Sequence, residues 1–244
     1  DDPLYQRLFE IANVHTAEEF GLDVPKGVYE EMAGAIEDKN EWAEIQGEDW
    51  FKSAQAMAEE EDFFHWELEY PEVFFGEDGE KRDDAGFDVV LGNPPWGHPG
   101  ANKDYLKVEF SDIVKRLPDM FAYFTDKCLR LGTASANYGV ILPNVVLFQS
   151  EYSKLRRELL RSGLFRVADL GEDVFADAVA PSAVLIGSQM KDRTQMSIRN
   201  LRDEEPNALT NYRINPIKFP IESILAEDDA VIPTYKIELR KVLS

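Results

Sequence analysis

Four consecutive residues, Asn93-Pro94-Pro95-Trp96, combine what is needed to hold a flat molecule that carries an amino group. The side-chain oxygen of Asn93 and the backbone oxygen of Pro94 are acceptors, and each can take one of the two hydrogens of such an amine. An exocyclic amine on an aromatic ring, as in adenine, is a poor nucleophile because its lone pair is spread into the ring. Gripping both hydrogens draws the lone pair toward an electrophile and stabilises the positive charge that develops on nitrogen. No strong general base is needed. The prolines at 94 and 95 fix φ and remove two N–H donors, and a residue before proline is kept extended, so the acceptors are positioned in advance. Trp96 adds a face for stacking, worth roughly 1–3 kcal/mol per nucleic-acid base, which offsets part of the cost of taking a base out of a duplex. An ordinary Pro-Pro turn is the bland alternative. What sets this one apart is the apolar run Phe87–Leu91 immediately before it, which reads as a buried parallel strand. Ligands of open α/β sheets bind beyond the carboxyl ends of such strands.

The elements that must position this loop follow from the alternation of apolar runs. Strands are expected at Phe87–Leu91, Tyr138–Leu142, Leu164–Leu170 and Ala183–Ile186, with helices at Met120–Leu131 and Tyr152–Arg161, the latter closed by Gly163. Strands alternating with helices argue for an α/β fold, a parallel sheet with helices on both faces. Residues 1–62 read as a helical extension, with helices over Pro3–Phe20, Gly27–Asp38 and Glu41–Glu60. In the first, Leu4, Leu8, Ile11 and Ala12 recur at helical spacing as an apolar stripe. Asp2 before Pro3 marks its start, and Gly21 with Pro25 its end. An aromatic run, Phe63 to Phe75, leads into a polar stretch, Gly76–Gly86, expected as an exposed loop. Beyond Lys191 the alternation fades, and Pro206, Pro216, Pro220 and Pro233 cut the chain into short pieces. The division expected is therefore 1–62, 63–190 and 191–244, the last a linker and the start of a further region.

Composition bounds the function. A 244-residue chain that is 44% hydrophobic can build a substantial core. It has no run of apolar residues long enough to span a bilayer and no signal-like head, so a cytoplasmic protein without membrane contact is expected. Cys128 is the only cysteine and lies in an apolar helical pattern, which excludes an internal disulfide and a cysteine zinc site. His15, His65 and His98 show no ligand spacing, so no metal is expected. The net charge of −21 is the wrong sign for a self-sufficient DNA binder. Either the surface is adapted to high salt or the basic DNA-gripping surface lies in other parts of a larger protein. The clusters Glu59–Asp62 and Asp203–Glu205 read as solvated faces.

The Asn93–Trp96 loop resembles motif IV of the gamma-class amino-methyltransferases, the DNA adenine-N6 enzymes of type II and type IIG restriction-modification and related phage-defence systems. Other stretches agree. Phe64-His65-Trp66 through Pro71-Glu72-Val73-Phe74, followed by Gly86 to Pro95, is similar to the large multidomain members. Asp119–Phe124 resembles motif V, whose aromatic side chains enclose the cofactor, so the resemblance implies cofactor contacts for Phe121 and Phe124. Gly139-Val140-Ile141-Leu142-Pro143 and the helix with Leu155, Arg156 and Leu159 resemble the next two motifs. Gly171-Glu172-Asp173-Val174-Phe175 looks like motif VIII, which implies that Phe175 and Trp96 sandwich the base.

The resemblance covers about residues 60–190 and implies a partial Rossmann-like methyltransferase sheet that moves a methyl group from S-adenosylmethionine to adenine N6 of a flipped base in double-stranded DNA. One departure is large. Family members carry a Phe-x-Gly-x-Gly loop for S-adenosylmethionine upstream of the Pro-Pro loop, and residues 1–92 contain none; Gly76-Glu77-Asp78-Gly79 lies too near Asn93. The expectation is a fragment of a larger enzyme, partnered by the remainder of its parent or by a complementary subunit. Two alternatives stand beside it: a non-catalytic DNA- or subunit-binding piece, and a glutamine or protein N-methyltransferase, since the same loop serves amide nitrogens. No Pro-Asp…(Asp/Glu)-x-Lys nuclease pattern is evident.

Overall fold

The structure, a computed structural model, describes residues 2–98, 103–113, 119–172, 180–190, 193–202 and 216–234. The chain divides into two compact units, Asp1–Asp83 and Asp84–Ser244; the aromatic run and most of the polar stretch thus fall with the helical extension, beyond the division expected at residue 62.

The first unit is helical: α1 (Pro3–Glu19), α2 (Val28–Ala35), α3 (Lys39–Gly47), α4 (Asp49–Glu60) and the single turns α5 (Trp66–Glu69) and α6 (Pro71–Phe74). Asp2 caps α1 by accepting from the Leu4 N–H at 2.9 Å, and Asp38 caps α3 by accepting from Asn40 and Glu41. The third expected helix is two, because Glu48 is extended (ψ 143°) after Gly47. The expected stripe on α1 also needs correction. Leu4 and Leu8 are 43% and 40% exposed, whereas Val14 and Ala17 are buried with Met32, Trp42, Phe51 and Ala54. Helical spacing gives a face but not which part of it meets the core. Trp42 also donates its indole N–H to Glu10 at 2.7 Å, joining α3 to α1.

In the second unit the described residues form six strands: β1 (Phe87–Gly92), β2 (Gly132–Pro143), β3 (Leu164–Gly171), β4 (Ser182–Ser188), β5 (Gln195–Asn200) and β6 (Ile217–Pro220). Their spatial order is β1-β2-β4-β3-β5-β6. β1 and β2 are parallel, as are β3 and β5, but β4 runs antiparallel to both its neighbours and β6 to β5. The sheet is therefore mixed rather than parallel; antiparallel neighbours need no crossover helix. Its α-helices among the described residues are α7 (Lys103–Glu109), α8 (Met120–Leu131), α9 (Ser153–Arg161) and α10 (Ile221–Ala226).

The sheet's two faces differ. Register aligns Val140 with Leu185, Leu185 with Val167, and Val167 with Ile198, and all four are buried in one core with Phe121, Leu155, Leu159 and Ile224 from the helices. The neighbouring rows, Gly139 with Ile186 and Ile141 with Val184, point the other way and are half-buried. Helices α8, α9 and α10 pack buried residues into the core on the first face.

Residues after 191 were expected to leave the sheet, and here the structure corrects the reading. β5 and β6 extend it, and Phe219, Ile221, Ile224, Ala230 and Ile232 join its core. Arg156, fully buried, fixes this segment by donating to the carbonyl oxygens of Asp229 and Ala230 on one side and Val146 and Gln149 on the other. Burial pulls its pKa down to about 10, which leaves it charged at neutral pH. Among the described residues no helix is long and apolar enough to cross a membrane.

Candidate active site

Strand direction brings the chemistry to one edge. β1, β2, β3 and β5 all end at the same side of the sheet, and β4 begins there. Asn93 follows β1, Asn144 follows β2, Asp169 and Gly171 close β3, Ser182 opens β4, Asn200 closes β5 and Arg202 follows it.

Asn93 is exposed, and no hydrogen bond from a described residue occupies its side-chain amide. Pro94 is buried and Pro95 exposed. Trp96 is half-buried against the sheet unit's core. Asn93 lies at the end of an open groove of about 570 Å³ lined by Val89, Leu91, Gly139, Ile141, Val184 and Ile186. Leu91 is 76% exposed and leans over Gly139, where a Cβ would come within 2.9 Å of its Cδ2.

The loop is tied back beyond Trp96. Gly97 turns with φ +110°, a conformation that favours glycine. Its carbonyl accepts from the Met120 N–H at 2.7 Å, at the first residue of α8. His98 Nδ1 lies 2.9 Å from Asp119 Oδ1, and Tyr152 donates its phenol to Asp119 Oδ2 at 2.8 Å. Asp119 occupies the N-cap position of α8 yet makes no side-chain cap bond, forgoing the ~1 kcal/mol such a bond gives. Burial, reinforced by the Asp119 carboxylate, raises the Tyr152 phenol well above its usual pKa, so it remains a donor. Sequence reasoning set His98 aside and did not single out Asp119 or Tyr152.

Of the two aromatic residues tied by resemblance to the cofactor, Phe124 is 44% exposed. Phe121 is fully buried, its ring 5.0 Å from that of Tyr152. Phe175 lies outside the described residues.

A second polar group sits farther along the same edge. Asp169, fully buried, takes the Asn144 amide at 3.2 Å on one oxygen and Arg202 Nε and Nη2 at 2.7 Å on the other. The Asn144 backbone N–H is also engaged, donating to Pro181. Sequence reasoning missed this cluster as well.

An α/β unit whose first parallel strand ends in an exposed amide that no described residue engages has the layout in which substrates meet strand ends. The family described as Eco57I restriction-modification methylase matches residues 17–175, and the chain belongs to that family. A Methanocaldococcus jannaschii protein described as a type II restriction enzyme and methyltransferase is 29% identical over 128 residues, which are 50% of this chain and 10% of that protein. Among solved structures, the type I restriction-modification methyltransferase subunit of Streptococcus thermophilus has a TM-score of 0.47 at 20% identity, covering 64% of this chain and 39% of its own. A modification subunit of a type I restriction enzyme from Vibrio vulnificus also gives 0.47, at 19% identity, with 62% and 37% covered. The chain thus spans a tenth of the archaeal relative and under two fifths of these structures.

Proposed function

We propose that this chain carries the amine-gripping part of a DNA adenine-N6 methyltransferase, acting on a base flipped out of double-stranded DNA as part of a larger restriction-modification or defence enzyme. The observation that carries this reading is the exposed amide of Asn93 beyond the strand end, which no described residue engages. Asn93 Oδ1 and the Pro94 carbonyl would accept the two N6 hydrogens and align the nitrogen lone pair. S-adenosylmethionine would supply an electrophilic methyl group. With both hydrogens held by these acceptors, the N6 lone pair would face the bound methyl donor, and the proton that N6 gives up would pass to solvent. Trp96 would bear on one face of the base and Phe175 on the other; Phe124, exposed, would meet the cofactor, whereas Phe121, assigned the same role by resemblance, is fully buried. The acidic balance, −21, calls for basic DNA contacts from the remainder of the enzyme or a complementary subunit.

The test is Asn93→Ala in the complete enzyme, with methyl transfer to duplex DNA and S-adenosylmethionine binding both measured. Loss of one stabilising contact at a reacting centre costs roughly a hundred- to thousandfold in rate, with cofactor affinity kept. Unchanged methylation would refute the role. A glutamine-bearing peptide offered in place of DNA separates the amide-methylating alternative.

A second reading, a non-catalytic docking piece, has its own observation: Val89 and Leu91 on the end strand β1 are 55% and 76% exposed. Restoration of methylation on adding a polypeptide with the glycine loop favours the enzyme; binding without activity favours the docking piece.

A further inference from the structure

Asp119 has an unusual set of partners for its position. An aspartate just ahead of a helix ordinarily turns its carboxylate on the helix's own free N–H groups. Here both oxygens point elsewhere, one to His98 at 2.9 Å and one to the buried Tyr152 phenol at 2.8 Å. His98 stands two residues beyond Trp96, and Tyr152 stands at the entry to α9. Between them, the Met120 N–H reaches the Gly97 carbonyl at 2.7 Å. One carboxylate therefore joins the exit of the Pro-Pro-Trp loop, the start of α8 and the turn before α9.

The partners differ in rigidity, and that gives the arrangement a direction. Tyr152 is 5% exposed and its ring packs on fully buried Phe121, so its phenol is a fixed point. The His98 side chain is 80% exposed and makes the loop's contribution. Asp119 lies between the anchored group and the exposed one, with its own side chain 22% exposed. Among the described residues, removing it would leave the Gly97–Met120 backbone bond and the packing of Trp96 on the core to hold the loop exit. Trp96 and the acceptors of Asn93 and Pro94 lie within a few residues of that exit.

We infer that Asp119 is a positioning residue: through His98 and Tyr152 it fixes the exit of the Asn93–Trp96 loop and thereby the place of the acceptors and the indole. This rests on the reading of Asn93 as an amine acceptor. Asp119 touches neither base nor methyl donor in this scheme; it acts through the loop. Displacement of reacting groups by about an ångström is enough to slow a reaction roughly a hundredfold.

The Met120 amide reports on the loop without any need for catalysis, because its protection from hydrogen exchange depends on the Gly97 carbonyl staying in place. Exchange is measured by NMR on the full chain, and kcat and KM for DNA in the complete enzyme. Asp119→Ala is expected to lower Met120 protection by at least about tenfold, with Val167 in β3 as an unaffected reference, and to lower kcat by roughly a hundredfold with KM for DNA near its original value. Asp119→Asn keeps an acceptor for Tyr152 and should recover part of both; Tyr152→Phe should resemble a mild form of the alanine variant. These two serve if the alanine variant fails to fold. Undiminished Met120 protection in the variants, or lost protection with unchanged kcat, overturns the inference. Failure of the acceptor reading would appear separately, as methylation that survives Asn93→Ala while the Met120 response to Asp119 substitution persists.

Discussion

Asn93 and Asn144 follow neighbouring parallel strands at the same edge of one sheet, and the fold treats them in opposite ways. Asn144 is 3% exposed, its side chain donates to Asp169 and its backbone N–H to Pro181. Asn93 is exposed and its amide takes no bond from the described residues. A buried amide must be satisfied by the protein because desolvation is costly; an exposed one can wait for a ligand. Residue type and strand-end position therefore do not identify a binding group by themselves. What separates the two is whether the protein has already used the hydrogen-bonding capacity.

The difference can be attacked where the fold depends on it most. Arg202→Met leaves the buried Asp169 carboxylate with the Asn144 amide and without its cation, and is expected to cost about 3–5 kcal/mol of unfolding free energy in urea. Unaltered stability would mean that the ion pair is dispensable and that Asn144 is not part of a structural cluster. Asn144→Ala should cost less, about 1–3 kcal/mol, since it removes a neutral donor from an acceptor that Arg202 still holds. Asn93→Ala, measured alongside, should leave stability within about 0.5 kcal/mol. Equal losses for the two asparagines would erase the distinction drawn between them.

Much of the frame was legible because its signals are local. The runs at Phe87, Leu164 and Ala183 and the helices from Met120 and Tyr152 appear within a residue or two of where periodicity put them. β2 begins earlier than expected, at Gly132, because its first half carries Thr133, Ser135 and Asn137 and does not look like a buried strand. β5 and β6 went unread for a related reason. Only Met196 and Ile198 alternate inward in β5, only Phe219 is buried in β6, and the prolines nearby suggested a linker. At the site, Asn93-Pro94-Pro95-Trp96 could be found because the prolines impose geometry over four consecutive residues. The partners that hold the edge together could not. Asp119 meets Tyr152 thirty-three residues away, as Asp169 meets Arg202, and such pairs depend on which strands become neighbours rather than on any local repeat.

Asn13 extends the comparison to the helical unit, with the smallest expected effect. Its Nδ2 donates to Gln55 at 2.8 Å and its Oδ1 lies 2.7 Å from His65 Nε2. Like Asn144, it has a side chain already engaged by its neighbours. Burial lowers the His65 pKa from its usual value, against the opposing pull of Glu69 and Glu67, so the folded unit favours the neutral ring, which still donates from Nε2. A group with a depressed folded pKa contributes stability above its unfolded pKa, about 6.5 for histidine, and that contribution is lost as pH falls through the folded value. Replacing His65 with glutamine keeps a donor for Asn13 but removes the titration. Melting midpoints of the two proteins, followed between about pH 5 and 8, should run parallel near neutrality, with the original protein falling more steeply on the acid side. A constant offset across the range would show that His65 burial adds nothing to acid sensitivity, and the bond to Asn13 would then have to be maintained with the ring in either charge state.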